Sequence, residues 1–104
     1  MYKIIITNPA EEDLKSAVSY IANELKNPVA TNNLLDEAQK VINSLSYMPD
    51  RYPLVEDDVL SAQEIRMVQI NNYLAFYVIR KETKSITILR FLYARRDWIS
   101  ILKA

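Results

Sequence analysis

The last third of the sequence constrains the fold most, because it holds three apolar segments joined by very short polar turns. The segments are residues 64–70, 73–80 and 85–93, and only Asn71 and Asn72 separate the first two. Parallel strands need a connection of about a dozen residues, whereas antiparallel strands can be joined by two. The sequence therefore predicts three consecutive antiparallel strands in this region.

The turn between the first two strands also indicates which residue adopts a positive φ. The chain contains no glycine, so a different residue must adopt the positive φ that a two-residue hairpin turn requires. Asparagine tolerates this left-handed conformation better than most non-glycine residues. Asn71 and Asn72 therefore predict a primed two-residue turn, and the polar residues 81–84 predict the second turn.

Both faces of the last two strands are apolar. The middle strand has one face of Leu74, Phe76 and Val78 and another of Ala75, Tyr77 and Ile79. The last strand is expected to have one face of Ile86, Ile88 and Leu92 and another of Leu89, Phe91 and Tyr93. A sheet with one solvated face would alternate apolar and polar residues. We therefore expect a cover on the second face, either the C-terminal segment 98–102, a partner, or a second copy of the chain in a homodimer.

The first 46 residues predict a strand and two helices that pack against this sheet. Residues 2–7 include a run of three isoleucines, which predicts a strand buried on both faces. Asn8 is expected to cap the first helix, with Pro9 at its first position. Residues 26–28 are expected to end that helix and to begin the second, which runs to about residue 46. With so short a linker, the two helices form an αα-hairpin.

Histidine and cysteine, which carry much of enzyme chemistry, are both missing. Their absence excludes disulfides, zinc sites built on these residues, and Ser-His-Asp or Cys-His catalysis. The three adjacent acids at 56–58 predict a solvated loop, because a bound cation needs several converging ligands. We therefore expect no metal and no cofactor. The sequence also lacks an apolar run of about 18 residues, so we expect one cytoplasmic domain, residues 1–104, with no membrane partner.

Charge is distributed unevenly although the chain is neutral overall. Residues 1–60 hold five Lys/Arg and ten Asp/Glu, and residues 61–104 hold eight and three. The basic C-terminal part indicates an anionic partner, or else opposite charges that decorate different surface elements. Within it, Arg90 lies between Ile88 and Leu92 on an apolar strand, so its charge must be paired or must line an open groove.

Several short segments occur in a defined order along the chain. They are Asn27-Pro28, Pro53-Leu54-Val55, Ile65-Arg66, NNYLAFY at 71–77, ITILRFLY at 86–93 and Arg95-Arg96-Asp97. This ordered set resembles the RelE/ParE superfamily of toxins from type II toxin–antitoxin systems, the plasmid stabilisation family, over essentially the whole chain. The resemblance implies an α+β fold: a strand, an αα-hairpin, a three-stranded antiparallel meander and a short C-terminal helix.

The resemblance also implies a growth-inhibiting toxin that a cognate antitoxin wraps and neutralises. RelE-like members cleave mRNA in the ribosomal A site without a metal, and ParE-like members poison DNA gyrase. If the chain cleaves RNA, the candidate catalytic residues are Arg66, Arg90, Tyr93 and Arg96. The candidates for binding a target or an antitoxin are Arg66, Arg90, Arg95, Arg96 and Trp98.

Two departures from the RelE pattern favour a ParE-like toxin that binds a protein target. RelE-like nucleases carry an arginine just after the tyrosine of the middle strand, and this position is Leu74 here. They also carry a lysine-rich segment before the meander, whereas residues 53–65 contain no Lys or Arg. The alternatives are a ribosome-dependent mRNA endonuclease and an inactive module that only binds the antitoxin.

Overall fold

The computed structural model describes residues 1–104, which form a four-stranded sheet with a helical hairpin on one face and two short helices on the other. The strands are β1 (Lys3–Ile6), β2 (Arg66–Ile70), β3 (Tyr73–Arg80) and β4 (Ser85–Tyr93). The helices are α1 (Asn8–Ser19), which continues into a π-helical turn (Tyr20–Glu24), α2 (Pro28–Ser44), α3 (Asp58–Ala62) and α4 (Trp98–Lys103). The predicted α+β fold is confirmed.

The spatial order of the sheet is β1-β4-β3-β2. The meander is antiparallel as predicted, and β1 lies parallel to β4. The predicted primed turn is confirmed, because Asn71 has a φ of 54° and the turn joins the paired residues Ile70 and Tyr73. A positive φ at the first central residue is common to both types of primed turn.

The first helix is capped by Thr7 and not by Asn8, so the prediction is wrong by one residue. The Thr7 hydroxyl accepts the backbone N–H of Ala10 at 3.2 Å and donates to the carbonyl of Leu89 at 2.9 Å. Thr7 directly follows β1, where one hydroxyl can serve both the helix N-terminus and the adjacent strand. The cap therefore also joins α1 to β4.

The predicted burial of β1 on both faces is also wrong. Ile5 and Ile6 are 41% and 48% exposed. The reason is the position of β1 at the edge of the sheet, where β4 is its single neighbour. Its isoleucine run reflects β propensity at an edge rather than a central, doubly covered strand.

The helical hairpin begins and ends close to the predicted residues. Lys26 adopts a φ of 49° between the two helices, and the Asn27 side chain caps α2 by accepting the N–H of Ala30 at 3.0 Å. The α2 helix ends at Ser44, two residues before the predicted end. The π-helical turn at the end of α1 has no counterpart in the sequence prediction.

Two apolar clusters lie on opposite faces of the sheet. The helix-face cluster contains buried residues from α1 and α2 and some buried residues from each of β2, β3 and β4. Among them are Leu34, Tyr77, Ile88 and Phe91. The α4-face cluster contains Val55, Leu60, Ile65, Leu74, Phe76, Val78 and Leu92, with Trp98, Ile101 and Leu102 packed against it. The expected cover of the second face is therefore the C-terminal segment, assisted by Leu60 of α3.

A β-bulge changes the faces that were predicted for β4. Phe76 pairs with Arg90 and Tyr77 pairs with Ile88, which leaves Leu89 as the extra residue. The helix-face cluster consequently contains Ile86, Ile88 and Phe91, whereas Leu92 belongs to the α4-face cluster. The extra residue shifts the alternation of side chains, so the prediction that Leu92 shares a face with Ile88 is wrong.

The acidic run at 56–58 has a structural role. The Asp57 carboxylate caps α3 by accepting the N–H of Leu60 at 3.1 Å and pairs with Lys103 of α4, also at 3.1 Å. These bonds hold the pKa of Asp57 below its usual value, with the backbone hydrogen bond as the largest cause. No group of three or more His, Cys, Asp or Glu residues is arranged to hold a metal ion. No helix has both the length and the apolar character to cross a membrane.

Candidate functional site

A groove of about 610 Å³ lies between the helical hairpin and the end of the sheet where β3 begins and β4 ends. We call it the tyrosine groove. The lining residues that matter most for its chemistry are Tyr20, Tyr73, Phe91, Tyr93 and Arg96, with Asp13 on the α1 side. Its volume is in the range of small-molecule and cofactor pockets, about 300–1,000 Å³.

Aromatic rings form the floor and sides of the tyrosine groove. The Tyr73 ring stacks on Phe91 with centroids 5.1 Å apart and meets Tyr93 edge-on at 5.7 Å. Tyr20, at the start of the π-helical turn, is 54% exposed, and Tyr93 is 44% exposed. Burial raises the pKa of Tyr73, and the neighbouring phenols of Tyr93 and Tyr20 add to the effect. The aromatic rings therefore form a largely apolar surface with hydroxyl groups available for hydrogen bonds.

The two arginines of the β4–α4 turn are exposed and form no ion pair. The turn itself is held by its backbone, since the N–H of Arg96 donates to the Tyr93 carbonyl at 3.0 Å and the N–H of Trp98 donates to the Arg96 carbonyl at 2.7 Å. Arg96 lines the tyrosine groove, and Arg95 does not. Arg96 is therefore a free cation on a well-anchored turn at the edge of an aromatic groove.

Arg90 forms an ion pair with Asp13, which is the first of the two environments predicted for its charge, a pair or an open groove. Its guanidinium donates two hydrogen bonds to the Asp13 carboxylate of α1, at 2.6 and 2.8 Å, and the N–H of Phe91 donates to the same carboxylate at 3.0 Å. The Asp13 side chain is only 11% exposed. The bond to Asp13 raises the pKa of Arg90. This charge is neutralised inside the protein, next to the groove that Asp13 lines.

Arg66 supports the loop that precedes the meander. Its guanidinium donates to the carbonyl of Tyr52 at 2.6 Å and, at a longer 3.4 Å, to that of Asp50. The buried Tyr77 hydroxyl donates to the carbonyl of Pro49 at 2.7 Å in the same loop. Arg66 does not line the tyrosine groove. Its hydrogen bonds instead hold the backbone of the loop at Asp50 and Tyr52 in place.

We predict that Tyr77 makes the stability of the protein fall with pH in the alkaline range. Burial raises the pKa of Tyr77 to about 12, whereas an unfolded tyrosine titrates near 10. Between these values the unfolded chain releases a proton that the folded chain retains, so the free energy of unfolding decreases as pH rises. Urea unfolding of the wild type and of Tyr77→Phe, at pH 9 and pH 11.5, measures this. The stability advantage of the wild type should shrink at the higher pH, and an unchanged difference would contradict the prediction.

Trp98 lies on the opposite face of the sheet from the groove. Its ring packs against Phe76 with centroids 5.3 Å apart, in the α4-face cluster. Leu74, at the position of the nuclease arginine, is also buried in that cluster. The structure therefore brings Tyr93 and Arg96 together in one groove, places Arg90 beside it through Asp13, and places Arg66, Arg95 and Trp98 outside it.

Sequence reasoning missed Asp13, Tyr20 and Tyr73 as site residues. Tyr73 lies opposite Tyr93 only because of the β-bulge in β4, since the register before the bulge would place it opposite Leu92. Asp13 falls in the acidic start of α1, where a carboxylate already has a simple explanation in the helix dipole. Tyr20 depends on the π-helical turn, which no sequence signal indicates.

Comparison with known proteins identifies the class. Among solved structures, the fold is similar to the chromosomal ParDE toxin–antitoxin system from P. aeruginosa, with a TM-score of 0.72, 16% identity, and coverage of 91% of this chain and 98% of that chain. It is also similar to the toxin–antitoxin complex RelBE2 from Mycobacterium tuberculosis, with a TM-score of 0.60, 19% identity, and coverage of 88% and 96%. A third similar structure is the archaeal RelE–RelB complex from Pyrococcus horikoshii OT3, with a TM-score of 0.57, 16% identity, and coverage of 91% of this chain and 97% of that chain. At these identities the likeness shows the fold, which is that of RelE/ParE toxins.

A family model makes the assignment more specific. Residues 4–98 match the model described as ParE toxin of type II toxin-antitoxin system, parDE. No curated protein matches the sequence significantly. The chain belongs to the ParE toxin family within the RelE/ParE superfamily, and the resemblance identified from its sequence is confirmed.

Proposed function

We propose that this toxin inhibits growth in the cytoplasm by binding a protein target, as a ParE-like toxin does with DNA gyrase, and that a cognate antitoxin neutralises it. The observation that carries the proposal is the shortage of converging cations. Arg96 is the one cation of the tyrosine groove, Arg90 is neutralised by Asp13, and Leu74 is buried under α4. Cleavage of RNA without a metal requires several groups that stabilise the pentacovalent phosphate.

The second candidate function is ribosome-dependent cleavage of mRNA. It is favoured by one observation, the proximity of a free guanidinium and a phenol, Arg96 and Tyr93, in the same groove. Arginine matches the geometry of phosphate oxygens. An inactive module that only binds its antitoxin is the third candidate, and it differs from both by the absence of any effect on growth.

Expression of the chain without its antitoxin distinguishes the three functions. Growth arrest with DNA damage and an SOS response supports gyrase poisoning. Growth arrest with fragmented mRNA and rapid loss of protein synthesis supports the nuclease and overturns the proposed function. Normal growth at a verified level of folded protein overturns both active functions.

We predict that Arg96→Ala restores growth under inducing conditions. The side chain is exposed and unpaired, so its loss should leave the fold intact while removing an interfacial arginine. The affinity for the target should fall by about 100-fold, which corresponds to the loss of a hot-spot contact of about 2–3 kcal/mol, and colony formation under induction should rise. Arg80→Ala is the matched control, because Arg80 is an exposed arginine at the opposite end of β3. Full toxicity of Arg96→Ala would remove this residue from the proposed target surface.

A further inference from the structure

We propose that the outer edge of β1 is an interface between two copies of this chain, which pair through their N-terminal strands into a homodimer with one continuous sheet. The two strands run antiparallel, and a two-fold axis passes between the Ile5 residues of the two copies. No residue of β1 lines the tyrosine groove, so this interface is separate from the groove. It is also independent of the target that the toxin binds.

The outer side of β1 presents backbone groups without partners. The N–H groups of Lys3 and Thr7 donate to carbonyls of β4 and of the turn before it, at 2.9 and 3.1 Å. Because alternate residues of a strand bond to the same neighbour, the N–H and C=O groups of Ile4 and Ile6 point away from β4. No loop or turn of the chain donates to them or accepts from them. These groups can therefore form a ladder with one more strand.

The opposite edge of the sheet is better protected. Residues 53–55 cover the start of β2, where the N–H of Met67 donates to the Pro53 carbonyl at 3.1 Å. An open edge strand is a template for another strand, and proteins blunt such edges with covering segments, prolines or bulges. The β1 strand contains no proline, and it pairs with β4 without a bulge. It is therefore the more open of the two edges.

The side chains of β1 favour a second copy over a charged partner. Ile5 and Ile6 are 41% and 48% exposed, and burial of this apolar surface stabilises a pairing. Ile4 packs against the helix-face cluster, whereas Ile5 lies in register with Val78 of the α4-face cluster. An added isoleucine-rich strand therefore extends the apolar surface on both faces. The one charge of the strand is Lys3, which gives an acidic segment little to recognise.

One register matches this edge to itself. When Ile4 of one copy lies opposite Ile6 of the second copy, Ile5 lies opposite its own counterpart. This register uses the outward backbone groups of both Ile4 and Ile6 in each copy, and a shift by two residues leaves one of them unpaired. Lys3 then lies opposite Thr7 and roughly 14 Å from its own counterpart, so like charges do not meet.

The first experiment measures the oligomeric state of the purified full chain by sedimentation velocity. We expect the wild type to be dimeric at about 100 µM, and a chain that stays monomeric at this concentration overturns the inference. Ile6→Pro removes an outward N–H that β4 does not use, and edge strands accept proline at such positions. It should weaken dimerisation by about 100-fold, because the two-fold axis doubles the loss.

Ile6→Val is the matched control, because it keeps the N–H and an apolar side chain. It should change the dissociation constant by less than about 3-fold. Circular dichroism and a thermal melt verify that each variant is folded. A folded Ile6→Pro variant that dimerises as tightly as the wild type overturns the inference.

The second experiment uses cysteine, which the chain lacks, and does not depend on proline. In the proposed register the two Ile5 Cα atoms lie about 4.5 Å apart, and a disulfide spans about 4.4–6.8 Å. Mild oxidation should therefore crosslink Ile5→Cys into a covalent dimer. Lys3→Cys is the control, because Lys3 lies on the same face of β1 but too far from its counterpart to be bridged. Failure of Ile5→Cys to crosslink, or equal crosslinking of Lys3→Cys, overturns the inference.

A strand of another protein is the competing occupant of this edge. The polypeptide encoded by the reading frame adjoining that of the toxin is added to the wild type and to Ile6→Pro. If the wild type is monomeric alone and binds this polypeptide, whereas Ile6→Pro does not, the edge takes a partner strand and the homodimer is refuted. Growth is not the readout in any of these experiments, so failure of the proposed function leaves their results unchanged.

Discussion

Asp13→Ala should lower the free energy of unfolding by about 3 kcal/mol, because it leaves the guanidinium of Arg90 without its partner in a partly buried site. The carboxylate forms three hydrogen bonds, two to Arg90 and one to the N–H of Phe91. The N–H lies immediately after the β-bulge, where the strand ladder is interrupted. The substitution therefore removes both a charge pair and the support of an irregular backbone.

The effect of Asp13→Ala can be measured by urea unfolding, with the fluorescence of the single tryptophan as the signal. Glu12→Ala is the control, since Glu12 is a neighbouring acid of α1 that pairs with Lys15 at the surface. It should change the free energy of unfolding by less than about 0.5 kcal/mol. The double variant Asp13→Leu/Arg90→Leu should recover part of the lost stability, because it removes the uncompensated charge. If Asp13→Ala lowers the free energy of unfolding by as little as Glu12→Ala does, the Asp13–Arg90 ion pair does not stabilise the fold.

Trp98→Ala should lower the free energy of unfolding by about 2–3 kcal/mol, somewhat less than the value for a fully buried tryptophan because the ring is only half-buried. The ring covers Phe76, which is fully buried in the middle strand. Its loss exposes the α4-face cluster and weakens the attachment of α4, whose other anchors are Ile101, Leu102 and the Lys103–Asp57 ion pair.

Thermal unfolding followed by circular dichroism tests the Trp98 prediction. The midpoint should fall by about 8–24 °C, given that each kcal/mol shifts the midpoint of a domain of this size by about 4–8 °C. Val59→Ala is the control, because Val59 belongs to α3 on the same side of the molecule but is 51% exposed. An equal shift in both variants would mean that α4 does not depend on Trp98 for its packing.

The meander could be predicted from the sequence because its turns leave no alternative. A two-residue connection at Asn71-Asn72 dictates antiparallel pairing, and the absence of glycine identifies asparagine as the residue with positive φ. The N-terminal strand was harder to predict. An isoleucine run has the same appearance in a buried strand and at an exposed edge, and its partner is the distant β4.

The β-bulge shows why the candidate site could be predicted only in part. One extra residue, Leu89, moves every later side chain of β4 relative to the helices, and the alternation of apolar residues does not reveal where this happens. Tyr93 and Arg96 were identified by family resemblance and do meet in a groove. Their association with Tyr20 and Tyr73 depends on the π-helical turn and on the bulged strand, both of which are tertiary features.

The pairing of β1 with β4 sets the order of events during synthesis. Lys3 pairs with Ser85 and Ile6 with Ile88. The first strand therefore cannot pair with its neighbour until nearly the whole chain has been synthesised. At about 5–20 residues per second, this interval is on the order of 10 s. During this time the isoleucine run has no strand to join, and the end of the sheet that forms the tyrosine groove does not exist. A chain whose translation stops before β4 therefore lacks both the β1–β4 pairing and the strand that completes the tyrosine groove.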